Sequence, residues 1–198
     1  MKYKNAVAVI AIGVGVIGYI PYISTIFNGK TKPHTFSWLV WGVLTGIAFV
    51  AQLVGKGGAG AWVTGFTTLV CFTIFTLALL KGELKFPLTD WLCLAGAGLT
   101  LILWAITKNP LTAIILVTLI DILGFIPTLR KSYSKPYSEA AFTYTMSGIK
   151  FLISIFALET FTAVTIIYPA SLVITNLGFV IMILYRRKSL AFITSTKS

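Results

Sequence analysis

The run NAVAVIAIGVGVIGYIPYISTIFNG, residues 5–29, carries no charged side chain over 25 positions. A helix crosses the hydrocarbon of a bilayer in about 20 residues. The run is also longer than the apolar core of a cleavable signal peptide, about 7–15 residues. It therefore predicts a retained first membrane helix. Outward from it, the uncharged stretches 33–55, 57–80, 91–107 and 160–185 repeat the pattern. Two more, 109–129 and 140–158, are each interrupted once, by Asp121 and by Lys150. These readings predict seven transmembrane helices, over 6–27, 36–54, 60–80, 90–107, 110–129, 139–158 and 161–185. A transmembrane barrel would need alternating segments of about ten residues, and these runs are continuous and longer. A helix satisfies its own backbone polar groups inside lipid, so the expected class is an all-α integral membrane protein.

Composition points the same way. Of 198 residues, 57% are hydrophobic and 11% charged, and the mean hydropathy is +0.93. A soluble domain of this length carries about 25% charged residues, so lipid must cover most of this surface. The net charge of +11 is spread through short segments between apolar runs. That is the pattern of loops beside membrane helices and not of a nucleic-acid-binding face. On one side the expected loops hold four cations (Lys2, Lys4, Lys56, Lys108), and on the other eleven, including Lys30, Lys32, Lys135 and Arg186–Lys188. The bias predicts an N-terminus outside and a C-terminus in the cytoplasm, in a plasma or inner membrane.

Little in the chain supports chemistry on a substrate. Cys71 and Cys93 lie in apolar runs and read as buried thiols, and the single His34 leaves no multi-histidine metal site. Gly13, Gly15 and Gly18 match a Gly-x-Gly-x-x-Gly spacing. That motif needs a preceding strand to bind a dinucleotide, so inside a membrane helix it reads as close helix packing. With no nucleophile–base pair and no phosphate loop, neither an enzyme nor a cofactor is expected.

An internal repeat orders the helices. Gly18-Tyr19-Ile20-Pro21 near the end of the first helix is matched by Gly124-Phe125-Ile126-Pro127 near the end of the fifth. Each is followed by a basic loop with Lys-Pro, at Lys32-Pro33 and Lys135-Pro136. The offsets are 106 and 103 residues. The duplication predicts two parallel three-helix bundles joined by a linker helix, a 3+1+3 layout with an axis along the membrane normal. Its parts are residues 1–85, the linker 86–108, residues 109–188 and a cytoplasmic tail, 189–198.

A proline near the end of the first helix of each unit, followed by a short basic loop, resembles the PQ-loop family. The layout and N-out topology are similar to those of the SWEET transporters within that superfamily. The family's Pro-Gln stands here as Pro21-Tyr22 and Pro127-Thr128, and its Pro-Asn pair has no match, Pro169 being followed by Ala170. The resemblance implies a carrier working by alternating access, with Pro21 and Pro127 as hinges and a solute site at mid-membrane. Proline in a membrane helix also serves packing alone, so both readings stand.

Asp121 and Lys150 fall near the middle of consecutive helices. A lone charge there costs about 2.5–3.5 kcal/mol on insertion scales, and pairing would reduce the cost. The pair reads either as a solute or proton-coupling site or as a fixed structural ion pair. Helical spacing adds an inward polar face: Thr143, Ser147, Lys150 and Ser154; Thr118 and Asp121; Tyr168, Ser171 and Thr175 beside Asn176; Thr64, Thr68 and Cys71. Trp38, Trp41, Thr45, Ala48 and Gln52 share a face of the second helix, with Trp38 expected at the membrane boundary. The candidate solute-binding residues are Asp121, Lys150, Trp41, Gln52, Asn176, Thr175, Ser147 and Thr68. The leading expectation is a carrier of a small polar solute. A non-transporting receptor or sorting protein of the KDEL-receptor kind is the alternative. A retinal photoreceptor is remote, because microbial retinal proteins hold their lysine in the last helix. Proton coupling and homo-oligomerisation stay open.

Overall fold

The computed structural model describes residues 2–82, 88–137 and 139–195. Within them the chain forms seven helices: α1 (Lys2–Phe27), α2 (Thr35–Val54), α3 (Ala59–Lys81), α4 (Leu88–Thr107), α5 (Pro110–Ser134), α6 (Ala141–Phe156) and α7 (Ala163–Ser195). Five of them, α1, α2, α3, α5 and α7, are long and apolar enough to cross a bilayer; α6 and the apolar part of α4, Trp91–Thr107, are shorter. The outward faces are apolar: Ile10, Ile17, Leu69, Ile102, Leu119 and Ile181 are all exposed. Such a surface suits lipid and not water. The chain is a helical protein of the membrane.

Several helix ends differ from the expected ones for physical reasons. The sixth stretch, expected over 139–158, is helical only over Ala141–Phe156. Ala157 and Leu158 are apolar because they are buried in a loop, each 0% exposed, and not because the helix continues through lipid. The seventh helix runs past residue 185, through Arg186, Arg187 and Lys188, to Ser195. Arg186 Nε donates to the Tyr133 carbonyl at 3.1 Å, and Arg187 donates to the carbonyls of Pro136 and Glu139, both at 3.0 Å. These bonds hold the basic turn against the loop after α5. The expected boundary at residue 85 and the end of the 189–198 tail lie outside the described residues. The side chain of Pro127 also lies outside them, while the backbone of α5 is helical across that position, as α1 is across Pro21.

The packed helix pairs are α1 with α3 and α6, α2 with α3, α4, α5 and α7, α3 with α6, α4 with α5, and α7 with α5 and α6. Exchanging α1 with α5, α2 with α6 and α3 with α7 turns every pair not involving α4 into another pair of the same set. The α1–α6 approach depends on two glycines. A Cβ on Gly15 would sit 2.9 Å from Lys150 Cδ and 2.8 Å from a Phe66 carbon, and one on Gly18 would sit 2.6 Å from Met146 Cβ. Gly13, the third of the spaced glycines, has nothing within 4 Å of that point.

Candidate functional site

A cavity of about 900 Å³ opens between the helices. Its mouth is marked by exposed Lys30 and Lys32 after α1 and by Ala140 before α6. Its floor is made by Thr45, Thr67, Phe151 and Tyr168, all buried. Such a volume is that of a small-molecule site.

Beyond the floor the molecule is closed, and the loop after α2 (55–58) is locked onto the loop after α6 (157–162). Gly60 N–H donates to the Ala157 carbonyl and Glu159 N–H to the Gly57 carbonyl, both at 3.1 Å. The Thr160 hydroxyl donates to the carbonyls of Gly55 (2.8 Å) and Lys56 (2.9 Å). Lys4 Nζ, from the start of α1, donates to the Leu158 carbonyl at 2.5 Å. Glycine is required in two places here. Gly58 has φ +59° and a Cβ on it would meet Glu159 at 2.3 Å, and a Cβ on Gly60 would meet the Ser154 carbonyl oxygen at 2.7 Å. Gln52 closes the seal from α2, its Nε2 donating to the Thr165 carbonyl at 3.0 Å. Its Oε1, like the Thr64 hydroxyl, is buried without a partner among the described residues.

Five of the expected site residues line the cavity: Asp121, Trp41, Asn176, Thr175 and Ser147. Three do not. Thr68 returns its hydroxyl to the Thr64 carbonyl at 3.1 Å, and Thr67, one position earlier and so rotated about 100° around the helix, takes the place in the wall. Gln52 belongs to the seal. Lys150 is 0% exposed and stands behind the wall.

The expected Asp121–Lys150 ion pair is absent among the described residues. Lys150 Nζ donates instead to Thr67 Oγ1 at 2.8 Å and lies over the rings of Phe151 (4.3 Å) and Tyr19 (5.1 Å). A hydrogen bond to a charged group contributes about 1.5–3 kcal/mol, and a desolvated cation–ring contact about 2 kcal/mol. Both contacts reduce the insertion cost of about 2.5–3.5 kcal/mol without a carboxylate. On α6 the polar stripe divides with depth. Thr143 and Ser147 face the cavity, while Lys150 and Ser154 are buried against neighbouring helices.

Trp38, in the first turn of α2, is 9% exposed and lines the cavity. Its ring packs on Tyr22 (5.4 Å between centroids) and edge-on against Trp41 (5.3 Å). The sequence reading missed most of the aromatic lining: Tyr19, Tyr22, Phe125 and Tyr144. The signal was present. Tyr19 and Phe125 are the aromatic residues of the repeated Gly-aromatic-Ile-Pro, and Tyr22 and Thr128 share their 106-residue offset. Trp41 and Tyr144 each follow a Lys-Pro proline by eight residues.

No family model, curated protein or solved structure matches this chain.

Proposed function

We propose that the chain is a carrier for a small polar solute, of the PQ-loop and SWEET kind, built as 3+1+3 and working by alternating access. The observation that carries the reading is the cavity itself, open at one end and closed at the other by two loops that the repeat makes equivalent. The neighbour pattern supports two like units, α1–α3 and α5–α7, with α4 as linker packed on α2 and α5. The repeated motif supports it too, since its two aromatic residues, Tyr19 and Phe125, both line the cavity. In parallel-repeat carriers the solute site lies between the units near the midplane.

The seal is suited to opening. Its orphaned Gln52 Oε1 forfeits about 1–3 kcal/mol while dry, and water would satisfy it once the loops part. In the orientation set by the loop cations, the N-terminus is outside, the mouth at Lys30 and Lys32 faces the cytoplasm, and the seal faces outward. The protein purified into liposomes and offered sugars, amino acids and nucleosides is expected to show saturable uptake of one class. Folded protein that moves none of them, and no organic cation added to the panel, refutes the proposal.

A further inference from the structure

We propose that the cavity takes a monovalent organic cation with a flat or ring-shaped apolar part, its charge on the Asp121 carboxylate and its ring between the aromatic walls. This rests on the carrier reading of the same cavity and names its substrate class. Asp121 lines the cavity, and among the described residues no group donates a hydrogen bond to it or pairs with it. A carboxylate facing such a chamber in the membrane calls for a counter-charge. The protein's own candidate, Lys150, is held outside the wall by Thr67, Tyr19 and Phe151. Cys71 stands within electrostatic reach of both Asp121 and Lys150, and the Lys150 ammonium is turned onto Thr67 and not onto the carboxylate.

The walls fit the rest of such a molecule. Trp41, Phe125, Tyr144 and Tyr168 border the cavity apart from the two rings, Tyr19 and Phe151, that Lys150 already faces, and aromatic faces attract cations. An anion would face the carboxylate. A neutral sugar would strip its water without neutralising it. Lys30 and Lys32 at the mouth do oppose a cation's approach. They are exposed to water, where charges are screened over about 8 Å at physiological ionic strength, and Glu139 shares the mouth with them. Their effect falls on the rate of entry more than on affinity at depth.

The test uses the full chain in nanodiscs and reads tryptophan fluorescence, since Trp38 and Trp41 line the cavity. The probes are phenyltrimethylammonium, benzoate and glucose. Phenyltrimethylammonium is expected to quench saturably and more tightly than either of the others. Asp121→Asn is expected to weaken it by about tenfold to a hundredfold with the thermal midpoint kept. Asp121→Glu, which retains the charge, is expected to keep the order of preference and serves if the amide variant does not fold. Tighter binding of benzoate or glucose, or an Asp121→Asn protein with unchanged cation affinity, overturns the inference. Liposome uptake separates the two claims. Flux of a non-cationic solute sinks the cation class and leaves a carrier, whereas cation binding without flux sinks the carrier and leaves the class.

Discussion

The two ends of the cavity are built from different pairs of loops, those after α2 and α6 and those after α1 and α5, and differ in how the loops meet. At the sealed end the loop after α2 carries three glycines beside Lys56, the loop after α6 carries none, and the two meet backbone to backbone with Ala157 and Leu158 buried. At the open end the loops after α1 and α5 carry Lys30, Lys32, Pro33, Glu139 and Ala140 around an accessible mouth. Small residues permit a tight dry contact; long charged side chains keep a gap wet. The glycines of the loop after α2 let the two backbones meet at one end, whereas the loops at the other end stay apart around the mouth.

The strongest way to break that comparison is to hold the open end still. With cysteines at Thr31 and Ala140 bridged by a cleavable bifunctional reagent, liposome uptake is expected to fall to the level of empty vesicles and return on cleavage. Undiminished uptake in bridged protein would mean that the mouth does not move. A smaller effect is expected at the seal. Gly60→Val drives a side chain into the Ser154 carbonyl and Leu158 and should lower stability by about 1–3 kcal/mol, read as a drop in thermal midpoint. An unchanged midpoint would place the two loops apart. The smallest change sharpens the account of Gln52. Gln52→Leu removes the bond to Thr165 and also the orphaned oxygen, so the two effects oppose and stability should move by less than about 1 kcal/mol. A loss several times larger would give Oε1 a partner after all.

What was legible in the sequence is what a single helix decides for itself. Uninterrupted apolar runs located the helices because lipid leaves no other partner for the backbone. The ends that went astray were those fixed by contacts with other segments: Ala157 and Leu158 in the seal, and Arg186 and Arg187 bonded across to the loop after α5. The site divides in the same way. Helical spacing correctly put Thr143, Ser147 and Lys150 on one stripe, but only packing against α1 and α3 turns Lys150 away from the cavity. Opposite charges at similar depth suggested a pair. The structure gives Lys150 Thr67 and two rings instead, and no feature of α6 alone announces partners on α1 and α3.

Lys150 also bears on how the protein is made. Its hydrogen-bond partner Thr67 lies on α3, and the space it occupies is left open by Gly15 on α1. When α6 leaves the ribosome, both helices have already been synthesised, so the lysine meets a prepared berth as it enters lipid. A second half made without the first would have to insert that ammonium with neither. The surroundings that other helices give this one side chain are thus built from segments that precede it in the chain.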